Sequence, residues 1–137
     1  MKTLFLAAIC LITFSSLNGQ DKNLVGTWNL ISWANVTTAG TTKMTEAQMK
    51  AENQSTLYIF LEDGKFKVTS NMAGSGTMDS YDGTWKSSEN KVIITLKIGE
   101  QTADLENTYE LKNDTLILTR VAPDNSVKIV NTFSKKK

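Results

Sequence analysis

Apolar side chains recur at every second position in short runs, and each run stops at a turn signal after roughly ten residues, the pattern of strands that are buried on one face. The first strand runs from about Leu24 to Trp33. In a second, Leu57, Ile59 and Leu61 alternate with Tyr58, Phe60 and Glu62, so that both faces are largely apolar. Asp63-Gly64 then predicts a tight hairpin, because glycine takes the positive φ that such turns need. Phe66 and Val68 alternate with Lys65, Lys67 and Thr69 in a third strand, and the glycine-bearing stretch from Met72 to Asp79 reads as a flexible loop. The fourth strand carries Tyr81, Gly83 and Trp85 on one face. The fifth sets Val92, Ile94, Leu96 and Ile98 against Lys91, Ile93, Thr95 and Lys97, which is the cleanest alternation in the chain. A sixth has Leu105, Asn107, Tyr109 and Leu111 inward. Asn113-Asp114 turns the chain into a seventh strand, Thr115 to Val121, and Pro123-Asp124-Asn125 turns it into an eighth marked by Val127, Ile129, Asn131 and Phe133.

Eight sequential strands with short connections predict an all-β fold, an eight-stranded up-and-down antiparallel barrel, since closure removes the exposed edges of an open sheet. One segment breaks the period. Thr45 to Glu52 is helix-forming, and Thr45 with Gln48 fits a capping box. A short helix is therefore expected between the first two strands, lying across one barrel mouth as a plug or a lid.

The N-terminus reads as an export signal. Lys2 gives the positive charge and Leu4 to Phe14 an almost unbroken apolar run, followed by small and polar residues with cleavage expected between Gly19 and Gln20. That run is shorter than the roughly twenty apolar residues a bilayer span needs. Cys10 sits inside it between Ile9 and Leu11, without the small residue before and polar chain after that lipid attachment requires, so no membrane anchor is expected. The division is thus residues 1–19 as signal and 20–137 as one barrel domain, exported to the periplasm or secreted. Without Cys10 no disulfide can form, a state commoner in bacterial envelope proteins than in animal secreted ones. In a bacterium the three Asn-x-Ser/Thr sequences beginning at Asn35, Asn53 and Asn113 carry no glycan.

Taking Lys2 from the 15 basic residues leaves 14 against 14 acidic ones. A neutral domain argues against nucleic acid as a partner, because such binding draws on clustered Lys and Arg. Lys135-Lys136-Lys137 forms the one basic cluster and reads as a solvated tail. The chain has no histidine, and its one cysteine lies in the signal. A Ser-His pair, a thiolate nucleophile and an ordinary zinc site are therefore excluded. Glu62-Asp63 and Asp79 with Asp82 fall in turns or on outward faces, and Asp79 to Gly83 is too sparse in ligands for a calcium loop. The expectation is a protein that is not an enzyme, with no metal and no cofactor.

Leu24-Val25-Gly26-Thr27-Trp28-Asn29-Leu30 resembles the opening of the lipocalin-like domains of exported bacterial proteins, many of them from the Bacteroidetes. Asp82-Gly83-Thr84-Trp85-Lys86, then Lys91 to Leu96, is similar to the middle of that family, and Tyr109 to Leu118 to its end. The resemblance implies an eight-stranded barrel and a small hydrophobic or amphipathic ligand. Avidins also open with Gly-x-Trp, but they need several later tryptophans, and here only Trp85 follows the first strand. For Gly26 and Trp28 the reading is barrel closure, with Gly26 allowing close backbone approach and Trp28 plugging the bottom. The resemblance further implies an arginine over that tryptophan, for which Arg120, the only arginine, shares parity with Leu116 and Leu118.

Arg120 could alternatively hold an anionic head group. Tyr81, Asn107, Tyr109 and Asn131 also lean inward, where a buried polar group must find a partner. These five are the candidate ligand-binding residues. Two readings stand: a carrier enclosing a small ligand, or an envelope interaction module, such as an inhibitor or assembly partner, with a filled barrel and an unknown protein partner.

Overall fold

Strand β1 (Gly26–Thr37) closes the structure, because it is hydrogen-bonded along both edges. The molecule is described here by a computed structural model covering residues 20–71 and 78–137. The expected signal segment 1–19, and residues 72–77 of the expected loop, lie outside the described residues. After β1 come β2 (Gly40–Met44), the helix α1 (Glu46–Ala51), β3 (Ser55–Phe60), β4 (Lys65–Asn71), β5 (Asp79–Ser88), β6 (Lys91–Ile98), β7 (Gln101–Lys112), β8 (Thr115–Val121) and β9 (Val127–Lys135).

Consecutive strands from β3 to β9 pair antiparallel, and β1 joins β3 on one side to β9 on the other. The result is a closed eight-stranded barrel with one extra strand. That extra strand, β2, was not anticipated. It folds back on the upper half of β1, pairing Trp33↔Met44 to Thr37↔Gly40 where β3 no longer reaches. Its Gly-Thr-Thr-Lys sequence holds no apolar alternation, because β2 is almost wholly exposed and buries no face. The first strand is correspondingly longer at its far end than expected, and α1 lies between β2 and β3 rather than directly between two barrel strands. Its capping box forms as expected, with Gln48 N–H donating to Thr45 Oγ1 and Thr45 N–H to Gln48 Oε1. Met49 is the helix residue that turns into the core.

β1 changes face part-way. A β-bulge lies between Leu30 and Ser32, and the pairing with β9 shifts there from Leu30↔Phe133 to Ser32↔Thr132. Below the bulge Trp28 and Leu30 face inward; above it Trp33 and Asn35 do, opposite Asn131 and Ile129.

The barrel has a sealed end. There Leu24, Trp28, Phe60, Phe66, Trp85 and Phe133 are almost completely buried. Phe60 meets Phe66 and Trp85 edge-on, with ring centroids 5.0 and 5.2 Å apart, the orientation that sets a positive ring edge against a negative face. Trp28 Nε1 donates to the Leu24 carbonyl at 2.8 Å, so its one polar atom is satisfied within the plug. Gly26 has φ 139°, and a Cβ there would meet Lys135 Cε at 3.1 Å. The cation over Trp28 is this same Lys135, its Nζ 5.5 Å from the ring centroid. The expectation of Arg120 over Trp28 is therefore corrected. Arg120 pairs with Ile129 higher up β8–β9, whereas Lys135 pairs with Trp28 itself. Gly64 takes φ 83° in the β3–β4 hairpin, as its place after Asp63 predicted.

Because Trp28 fills the sealed end, Trp28→Ala leaves a cavity that the β1–β3 and β1–β9 ladders cannot collapse into. A loss of about 3–5 kcal/mol in unfolding free energy is expected from urea titration followed by circular dichroism.

Candidate functional site

The two ends of the barrel differ in chemistry. At the sealed end the segment before β1 folds across the plug: Gln20 Nε2 donates to the Trp85 carbonyl at 3.1 Å and Asp21 N–H to Ser87 Oγ at 2.6 Å. Tyr109, one of the candidate ligand residues, belongs to this plug. Its hydroxyl donates to Asp21 Oδ2 at 2.8 Å, with the Glu89 carbonyl at 3.1 Å as a second acceptor. Burial, reinforced by the Asp21 carboxylate, pushes the Tyr109 pKa up to about 12.

Towards the other end the inner wall becomes polar. Trp33 pairs with Asn131 and Asn131 with Leu118, while Ile129 pairs with both Asn35 and Arg120. Cross-strand partners share a face, so Trp33, Asn35, Asn131 and Arg120 form one contiguous patch across β1, β9 and β8. Across the interior from β8, Tyr58 is held by rings of Phe66 and Phe133, at 5.2 and 4.7 Å between centroids. Burial raises its pKa, and the Arg120 charge opposes that rise. Thr56 and Ser70 join their hydroxyls at 2.9 Å nearby.

Two atoms of this patch lack partners. Trp33 Nε1 and Asn35 Oδ1 are buried without a hydrogen bond. Among the described residues, neither a carboxylate nor a hydrogen-bond acceptor engages Arg120. Buried polar atoms are nearly always satisfied in folded proteins, and each exception costs about 1–3 kcal/mol.

The structure thus distributes the five candidates among three places. Arg120 and Asn131 come together on the β8–β9 wall. Asn107 is buried one strand further round on β7, its Nδ2 donating to the Leu105 carbonyl at 3.2 Å. Tyr81 stands on β5 opposite Val68, and at 38% exposure it belongs to the rim. Tyr109 is structural. Sequence reasoning missed Trp33, Asn35 and Tyr58: the bulge reverses parity for the first two, and the doubly apolar β3 gave no way to choose a face for the third. Among the described residues no three His, Cys, Asp or Glu gather as a metal site.

The sequence model of the lipocalin-like domain matches residues 24–118. The chain belongs to the lipocalin-like domain family. Among solved structures, this lipocalin-like chain is similar to the fluorescent protein UnaG, at 12% identity and a TM-score of 0.45 over 84% of this chain and 98% of that one. It is also similar to the siderocalin Ex-FABP, described as having dual ligand specificities, at 13% identity and a TM-score of 0.43 over 82% of this chain and 73% of that one. No curated protein sequence matches it.

Two outcomes follow from these placements in the lipocalin-like barrel. Below pH 10 the Tyr109 hydroxyl is protonated in both folded and unfolded chains. Between about 10 and 12 the unfolded chain releases the proton and the folded one retains it, so stability falls as pH rises through that window. Tyr109→Phe flattens that fall, measured as the urea midpoint against pH. Trp33→Phe removes an unsatisfied donor while keeping an aromatic ring, and leaves the ligand-free protein equally stable or up to about 1 kcal/mol more stable by the same titration.

Proposed function

We infer that this lipocalin-like protein binds a small amphipathic molecule, with the ligand's polar part against the upper inner wall and its apolar part towards the aromatic plug. The observation that carries this is the pair of buried, unpaired polar atoms on one wall, Trp33 Nε1 and Asn35 Oδ1, beside the half-buried Arg120. A barrel serving only as scaffold gains nothing from such groups, whereas a ligand that supplies acceptors to Trp33 and Arg120 and a donor to Asn35 recovers their cost on binding. Eight-stranded barrels are wide enough to hold one such molecule. The protein acts by binding rather than catalysis, since histidine is absent and the one cysteine stands at position 10. The apolar stretch before Gln20 supports export to the periplasm or the medium as its place of action.

A second reading draws on the rim. Among the described residues, five of six large exposed hydrophobic side chains (Val36, Met78, Tyr81, Ile98 and Val121) stand at the open end, with Leu61 the exception. An apolar rim suits a protein partner docking over the mouth.

Native mass spectrometry of the protein from its own host separates the two. A reproducible adduct of small-molecule mass, lost on denaturation and depleted in Trp33→Phe and Arg120→Met, is the expected result. A bare chain mass that lipophilic compounds leave unchanged, together with a co-purifying protein, overturns it in favour of the rim.

A further inference from the structure

The barrel wall is not continuous between β7 and β8. Their ladder runs from Lys112↔Thr115 to Thr108↔Thr119 and stops. Beyond that rung β7 stays paired to β6, down to Ile98↔Gln101, and β8 stays paired to β9 through Arg120↔Ile129 and Val121↔Lys128. By that register Asn107 and Glu106 of β7 lie opposite Arg120 and Val121 of β8 without pairing, while residues 101–105 run on past the end of β8, and the wall parts along a short seam. A cavity of about 500 Å³ occupies it, lined by Asp104, Glu106, Asn107, Thr119, Arg120 and Val121 among others.

The seam carries two cations, Lys91 and Arg120, and two carboxylates, Asp104 and Glu106. Glu106 is paired with Lys91 at 3.2 Å, and Asp104 accepts a hydrogen bond from Thr95 Oγ1 at 2.7 Å. Arg120 has no such partner among the described residues. It also belongs to two surfaces at once. It lines the seam, and its pairing with Ile129 sets it on the inner face with Asn131 and Phe133. A half-buried guanidinium at the junction of a side opening and the interior is placed to meet an anion arriving from either side. The partnered carboxylates outside it leave the seam close to neutral rather than repulsive.

We propose that the β7–β8 seam is a lateral entrance to the barrel and that Arg120 at its inner end binds the acidic group of a monoanionic amphiphile, a carboxylate or sulfonate on an apolar body. The proposal rests on the binding function above and adds to it the ligand's charge and its route. The guanidinium offers paired N–H donors to an oxyanion, and Asn107 stands on the facing edge of the seam. The apolar body then lies inward, where Tyr58, Val68 and Leu118 line the wall.

The test uses the full purified protein and two fluorescent probes of similar shape: anilinonaphthalene sulfonate, which is anionic, and phenylnaphthylamine, which is not. Arg120→Met weakens the anion about tenfold and leaves the neutral probe within about twofold, which also shows the barrel intact; Arg120→Lys restores most of the anion preference. In stopped-flow mixing, Glu106→Lys in the seam accelerates anion association about threefold at low salt, an effect that fades as salt is added. Glu100→Lys, at the exposed β6–β7 turn on the rim, does not. Equal loss of both probes in Arg120→Met, or no loss of the anion, overturns the anion site. Acceleration by Glu100→Lys as large as that by Glu106→Lys overturns the lateral route. If neither probe binds the unaltered protein saturably, the binding function itself falls and takes the inference with it; saturable binding without the charge dependence sinks the inference alone.

Discussion

The β1–β9 ladder is the constraint on which everything else depends. Eight strands make a barrel only if the last finds the first, and here that closure brings Trp28 beside Lys135 and Leu30 beside Phe133 at the sealed end. The bulge between Leu30 and Ser32 is what lets a single strand serve two chemistries. Without it, Trp33 and Asn35 would turn to solvent and Ser32 and Ala34 would face inward, leaving the upper wall without its indole and amide. One inserted residue thus decides whether the interior is a filled plug throughout or carries polar groups in its upper half.

The division of labour along the barrel axis follows from where polar atoms find partners. In the plug each has one: Trp28 Nε1 uses the Leu24 carbonyl, Trp85 Nε1 uses the Leu61 carbonyl at 2.9 Å, and the Tyr109 hydroxyl uses Asp21. Two of these bonds tie β1 and β7 to the short segment beneath them and the third ties β5 to the end of β3, and they let large aromatic rings be buried without an unsatisfied N–H or O–H. In the upper half Trp33 Nε1 and Asn35 Oδ1 go unpaired. An interior that satisfies every donor at one end and not at the other is shaped by more than the need to fold.

How much of this was legible in the sequence depends on which signal each feature leaves. Period-two alternation marked the barrel strands from β3 onward and put Arg120 and Asn131 on the inner face, because those strands run without a bulge and parity holds from end to end. The capping residues Thr45 and Gln48 marked α1 for an equally local reason. β2 left no mark, since a strand exposed on both faces needs no apolar alternation. Trp33 and Asn35 were hidden by a parity change that no residue type announces. Tyr109 looked like a cavity residue because its partner Asp21 lies 88 positions away, and only the closed barrel brings them together.

The guanidinium on β8 has no ion-pair or hydrogen-bond partner among the described residues. Removing an arginine fully from water without a partner would cost several kcal/mol, and Arg120 avoids that cost by staying only half-buried. Carboxylates stand close by on β7, where Glu106 pairs with Lys91 and Asp104 accepts a hydrogen bond from Thr95 Oγ1, and neither is within ion-pair distance of Arg120. Had the β7–β8 ladder continued, Asn107 would oppose Arg120 and Glu106 would oppose Val121, and the wall would close over the charge. The ladder stops one rung short of that, so the charge stays beside solvent. The gap in the ladder and the unpaired cation are therefore two halves of one arrangement: the seam leaves the arginine beside solvent, and a continued ladder would have closed the wall over it.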